Sequence, residues 1–229
     1  MKNILPFLFA LLLAAPHVQA DGSRFVFGMK AAPNISWHRP ETRGFERNGA
    51  TIGFSYGLIA DFLFAENYAI SSGMHILHTG GKLKYPYKTE EDDLIVDKRR
   101  DYSLRYLEFP LTIKLRTEEV GYVTYFGQFG LGLGFNSKAE ADERIPQPDG
   151  SVVSRTDVDI SDEIRFMRGA MIIGAGLEYS LGGRTSLMAG LVFNNGFSNV
   201  LKMENPYDPN ASSPSSMVNY LEVTLGVMF

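Results

Sequence analysis

The sequence predicts an all-β chain: an eight-stranded antiparallel up-and-down transmembrane β-barrel, preceded by an export segment. Three observations carry this prediction. The N-terminus reads as a signal peptide. The rest of the chain alternates apolar with small or polar residues at a period of two. The connections between those alternating segments are short and long in turn.

The export segment comes first. Met1-Lys2-Asn3 gives a short positive start, Ile4 to Ala15 an apolar run, and Val18-Gln19-Ala20 a small-residue cleavage site before Asp21. The apolar run is shorter than the ~20 residues of a spanning helix, so cleavage rather than anchoring is expected. Residues 1–20 are thus read as the signal and 21–229 as one barrel domain. The chain has no cysteine, which excludes disulfides, thiolate chemistry and the lipid-bearing cysteine of a lipoprotein. A formal net charge of −4, with no basic stripe, gives no reason to expect a nucleic-acid partner.

Eight period-2 segments follow, at about 24–36, 50–64, 67–79, 101–116, 120–136, 164–180, 184–197 and 217–229. Tight connections stand at Phe64-Ala65-Glu66-Asn67, Arg116 to Val120 and Ser180-Leu181-Gly182-Gly183. The Gly-Gly pair suits the positive φ of a hairpin turn. The other connections, about 37–49, 80–100, 137–163 and 198–216, are long and polar. In a meander, alternate connections share one end. All long loops therefore gather outside and all short turns at the periplasmic end.

The faces sort by phase. Leu107, Phe109, Leu111, Ile113 and Leu115 alternate with Tyr106, Glu108, Pro110, Thr112 and Lys114. Phe129, Leu131, Leu133 and Phe135 alternate with Gln128, Gly130, Gly132, Gly134 and Asn136. Leu221, Val223, Leu225, Val227 and Phe229 alternate with Tyr220, Glu222, Thr224 and Gly226. One face is an apolar row, and the other is glycine, small polar residues and isolated charges. A bilayer requires every backbone polar group to be paired within the protein, and closed barrels meet that need. Eight strands leave an interior just wide enough for side chains to fill. Glycines on the inner phase would admit bulky inward neighbours. Pro110 dissents, and a bulge or bend is expected there.

The inward phase collects Lys30, Asp61, His75, Glu108, Lys114, Arg168, Glu178 and Glu222. Both signs are present, and charges in a narrow interior are expected to pair across strands as a lumen network. Glu90-Glu91-Asp92-Asp93 and the acids between Glu140 and Glu163 read as solvated loops without cation-binding spacing. His75 and His78 lie near the outer end of the third strand, and His38 in the first long loop. Neither a Gly-x-Ser-x-Gly nor a His-Glu-x-x-His motif accompanies them, so no catalytic, cofactor or metal site is expected. Phe229, in phase with the apolar row, reads as a C-terminal assembly signal for the barrel-insertion machinery.

Tyr106-Leu107-Glu108-Phe109-Pro110-Leu111-Thr112-Ile113-Lys114-Leu115 resembles the Tyr-Leu-Glu-aliphatic-Pro-Leu core of the PorT-like bacterial outer-membrane β-barrel family. Gly121-Tyr122-Val123-Thr124-Tyr125-Phe126-Gly127-Gln128-Phe129-Gly130 resembles the strand that follows it. The resemblance implies an outer-membrane barrel, and some members serve type IX protein secretion or gliding. The residues themselves point to a non-enzymatic barrel with a structural, anchoring or envelope-assembly role. Outer-membrane lipid and lipopolysaccharide, the insertion machinery and other envelope or secretion proteins are the expected partners. A small-solute porin and a soluble lipocalin-like carrier are the alternatives.

Overall fold

The computed structural model describes residues 24–89, 94–147, 149–206 and 212–229. The signal segment with its Ala20–Asp21 junction and the acidic run 90–93 lie outside the described residues. The strands are β1 (Phe25–Pro40), β2 (Glu46–Ala65), β3 (Tyr68–Lys88), β4 (Ile95–Arg116), β5 (Val123–Pro146), β6 (Val152–Asp159), β7 (Met167–Gly182), β8 (Thr185–Gly196) and β9 (Ser216–Met228). Every pairing is antiparallel. Eight strands close a ring in the order β1-β2-β3-β4-β5-β7-β8-β9, and β9 returns to β1 with Met29 opposite Val227 and Ile35 opposite Leu221. At the seam, Phe27 and Phe229 exchange backbone hydrogen bonds of 3.1 and 2.7 Å.

The apolar rows face outward. Phe27, Leu58, Ile70, Leu111, Leu131, Ile173, Leu191 and Leu225 are all exposed, one on each barrel strand. Such a belt buries its hydrophobic area in lipid. A soluble carrier would turn these residues inward, so the lipocalin-like alternative is overturned. The tight turns fall where expected: Glu66-Asn67 between β2 and β3, and Gly182-Gly183 at φ +97° and +64° between β7 and β8.

The other end differs from the sequence reading. Most of the long "loops" are strand. The first connection shrinks to 41–45, because β1 runs to Pro40 and β2 begins at Glu46. β3 continues to Lys88, β4 begins at Ile95 and β5 runs to Pro146. β2 to β5 have 20, 21, 22 and 24 residues, whereas β8 and β9 have 12 and 13. A membrane crossing takes about 9–11. The first group therefore overhangs the belt as a standing sheet, and β6, a ninth strand unforeseen in the sequence, extends its edge by pairing with β5 alone.

The overhang has its own apolar interior. Leu77, Leu83, Tyr85, Tyr102 and Leu104 pack against Phe45, Ile160, Ile164, Val200 and Leu201 from the connections. Each buried Leu or Ile contributes roughly 1.5–3 kcal/mol.

Two irregularities shape the wall. The register runs unshifted past Pro110, from Ser72↔Leu111 to His75↔Glu108, so there is no bulge. Two ladder pairs are missing instead, and the Ser72 hydroxyl donates to the Pro110 carbonyl at 2.8 Å. Between β2 and β3 the ladder breaks from Gly49↔Lys82 to Phe54↔His78. Ser36 of β1 stitches this gap: its Oγ accepts from Gly80 N–H at 2.9 Å and donates to the Thr51 carbonyl at 3.2 Å.

Candidate functional site

The lumen of the membrane belt is the densest polar region, and three ion clusters occupy it. Nearest the short turns, Lys114 Nζ bonds Asp61 Oδ2 at 2.7 Å and Glu178 Oε1 at 2.5 Å. Arg116 holds the other Glu178 oxygen at 2.7 Å. The Lys114 ammonium also lies 4.5 Å from the centre of the Phe126 ring. That ring fits because Gly176 and Gly190 lack side chains: a Cβ on Gly176 would stand 2.7 Å from Phe126 Cζ.

In the second cluster Lys30 Nζ meets Glu222 Oε1 at 2.5 Å. Ser55 and Thr224 hydroxyls donate to the same carboxylate at 2.5 and 2.8 Å. In the third, Glu108 accepts from Asn194 Nδ2 at 2.9 Å and from the Tyr220 hydroxyl at 3.2 Å. The Arg168 guanidinium stands 3.7 Å away, bonded to Asn194 Oδ1 and the Val218 carbonyl. A Cβ on Gly132 would lie 2.8 Å from Glu108 Oε1, so that glycine makes room for the carboxylate.

Of the eight inward residues singled out in the sequence, seven thus fall into three groups, and each group joins at least two strands. His75 is also buried but joins none: its Nε2 has no hydrogen-bond partner. Arg116, Ser55, Thr224, Asn194 and Tyr220 complete the clusters. Arg116 continues the inward phase two residues beyond Lys114, a signal present in the sequence and not used. With Arg116 the clusters set Lys30, Lys114, Arg116 and Arg168 against Asp61, Glu108, Glu178 and Glu222. Near-complete pairing is what makes such burial tolerable.

A pocket of about 170 Å³ opens at the short-turn end beside Asp61, Arg116 and Glu178, but the space left at mid-lumen is small. The cavity among Lys30, His75, Glu108, Lys114, Gln128 and Glu222 measures about 50 Å³, room for a few waters. Above it, the apolar interior of the overhang closes the bore.

A fourth cluster lies beyond the belt, in segments read from the sequence as loops. Glu143 is a buried strand residue, not a solvated loop acid. It pairs with Lys98 at 2.9 Å and with Arg100, which also pairs with Glu163. Burial pushes the Glu143 carboxyl up, but Arg100 and Lys98 outweigh it and hold the group below the usual range. Burial raises the Tyr85 hydroxyl well above its ordinary value.

The remaining histidines divide. His78 faces outward, stacked 6.4 Å from Tyr56. His38 belongs to β1 rather than a loop, and its Nδ1 lies 3.0 Å from Ser216 Oγ. Both residues of that pair are fully buried, which bars substrate from them. Among the described residues no group of three His, Asp or Glu is arranged to hold a metal ion.

A closed strand ring with an apolar outer belt and a filled polar lumen defines an outer-membrane-type β-barrel. Residues 17–202 match the outer membrane protein beta-barrel domain, and the chain belongs to that family. Solved structures similar to it include Neisserial surface protein A, at 14% identity over 91% of this chain and 98% of that one, with a TM-score of 0.48. OprG of Pseudomonas aeruginosa is 9% identical over 90% and 95%, with a TM-score of 0.49. The outer membrane protease OmpT of Escherichia coli is 9% identical over 92% and 99%, with a TM-score of 0.36. No curated protein matches the sequence.

Proposed function

We propose that this barrel is a non-enzymatic envelope protein whose role is structural, anchoring or assembly-related and whose working surfaces lie outside its bore. The observation that carries this reading is the double closure. At mid-lumen the clusters leave about 50 Å³, which separates the pocket of about 170 Å³ at the short-turn end from the rest of the bore, and the core of the overhang seals the outer end. A solute pathway would need a continuous hydrated bore. The test is single-channel recording in planar bilayers. The expected result is no step conductance, and reproducible unitary steps would replace this reading with a small-solute porin.

The PorT-like resemblance of 106–115 and 121–130 supports a finer reading, in which the partners belong to type IX secretion or gliding. Cross-linking in the native host, followed by identification of the captured proteins, tests it. Recovery of the insertion machinery alone would count against it. The N-terminal pattern supports export with cleavage between Ala20 and Asp21. The intact mass of the mature protein checks that site. Phe229, outward-facing at the β1–β9 seam, supports a role as assembly signal. Its deletion is expected to slow insertion while leaving the lumen contacts unchanged.

A further inference from the structure

Where the apolar belt stops on β3, β4 and β5, three basic residues stand side by side. His78 is the cross-strand partner of Arg105, and Arg105 of Lys138. One step lower on the same outward phase, Ile76 pairs with Leu107, and Leu107 with Phe135. A basic row thus lies directly on an apolar row, at the height where the belt meets the overhang.

Such a row is unfavourable on its own. Directly opposed residues have Cβ atoms about 4.5–5.5 Å apart, and the like charges of Arg105 and Lys138 repel there. Burial and the Arg105 guanidinium hold the His78 imidazole below its ordinary value, so it stands in the row as a neutral hydrogen-bonding group. Farther out a second basic row, Lys84 opposite Arg99 and Arg99 opposite Arg144, stands beyond the reach of the apolar belt. There Lys84 is paired with Asp97 at 2.9 Å, as Lys82 is with Asp101 at 2.8 Å. In the row at the belt edge, Lys138 has Glu140 at 2.6 Å, but Arg105 has no carboxylate partner among the described residues. Arg presents a planar fork suited to phosphate oxygens.

The row also borders a recess. Because β2 parts from β3 between Gly49 and Phe54, a groove of about 310 Å³ opens beside His78, Arg105 and Lys138, with one acid, Glu140, on its lining and held by Lys138. Ile52, 84% exposed, forms its apolar lip. Ser36 backs the parting with its two hydrogen bonds, so the groove does not lead into the bore. An occupant suited to these surfaces has an anionic head beside an apolar body, and it lies at the outer edge of the membrane.

We propose that His78, Arg105 and Lys138, with the groove beside them, form a headgroup site for a phosphorylated lipid of the outer leaflet. The phosphate sits on the basic row, and the acyl chains run down Ile76, Leu107 and Phe135. The assignment uses the outer face alone and is independent of what the barrel does in the envelope.

The test is native mass spectrometry of the mature protein in a non-ionic detergent, titrated with bisphosphorylated lipid A and with its dephosphorylated form. The expected result is a discrete lipid A adduct. It should bind at least about tenfold more tightly than the dephosphorylated lipid, as loss of charge-assisted hydrogen bonds requires. The Arg105→Gln/Lys138→Gln double variant, checked for folding by heat-modifiable migration, should lose that preference. Equal binding of the two lipids to the natural protein overturns the proposal without recourse to any variant. So does an adduct that millimolar inorganic phosphate displaces completely, which would make this a free-phosphate site. An unchanged preference in a folded double variant places the lipid elsewhere and overturns it too.

Discussion

The belt half and the overhang are built from the same strands, yet their insides and outsides are exchanged. In the belt, β3 turns Ser71 and His75 inward and Ile70 and Met74 outward. A few residues on, the same strand turns Leu77, Leu83 and Tyr85 inward and sets His78, Lys82 and Lys84 outside. β4 makes the same change, from inward Lys114, Thr112 and Glu108 to inward Leu104 and Tyr102. On these two strands the period of two does not break. Only the chemistry of each phase reverses, because lipid surrounds one half and water the other. The lesson is that the outer edge of the membrane is written into the strands as an exchange of polarity.

The comparison can be broken most severely inside the belt. Lys114→Met leaves Asp61 and Glu178 buried without their shared cation, and should cost about 3–5 kcal/mol. The urea midpoint of the heat-resistant form in detergent measures it. Adding Asp61→Asn and Glu178→Gln should recover most of the loss. If the triple variant is as weak as the single one, repulsion between orphaned carboxylates is not the cause.

In the overhang the sensitive residues are apolar. Leu201→Ala should cost about 2–5 kcal/mol, but locally. Protease should cut 160–166 and 197–206 faster while the unboiled protein keeps its folded migration. Simultaneous loss of both would show that the halves unfold as one. A charge on the outer surface sharpens the contrast further. Leu131→Lys, on the lipid face, should cost about 2–4 kcal/mol, whereas Ser103→Lys, on the overhang, should stay within about 0.5 kcal/mol.

Acid should separate the halves more gently. The folded Glu143 carboxyl sits below its ordinary value of 4.5, so below that pH the unfolded chain binds the extra proton first. Its contribution is present in full above the ordinary carboxylate range and is lost as the pH falls through the folded value. Protease resistance of the overhang should drop with acid, and Glu143→Gln should flatten that part of the profile. The smallest effect is expected from Asp101→Ala, because its bond to Lys82 is 40% and 29% exposed on the two sides. Thermal unfolding should register less than about 1 kcal/mol.

The same exchange of polarity explains what could be read from the sequence. The belt was legible because its apolar rows are long and in phase. The alternation of short and long connections placed the tight turns. The sequence reading ended the third strand at 79 and the fifth at 136, at the switch of polarity, and took the charged outward residues beyond it for loop. A bulge adds to the difficulty on β5. The register slips between Arg105 and Tyr106, so Ser137 is an extra residue and the phase itself shifts by one. Within the belt, phase alone brought forward most of the lumen ions. It could not say which carboxylate would face which cation, because partners such as Lys114 and Glu178 are 64 residues apart. Proline's missing N–H marked Pro110 as an irregularity, but not its form: two ladder pairs are given up with no change of register.

The stopper at the outer end sets an order of events during biogenesis. It joins Phe45, from the first connection, to Val200, Leu201 and Val218, in or near the last strand. Those residues come together only when β9 has returned to β1, so the cap is completed by ring closure and not by any single hairpin.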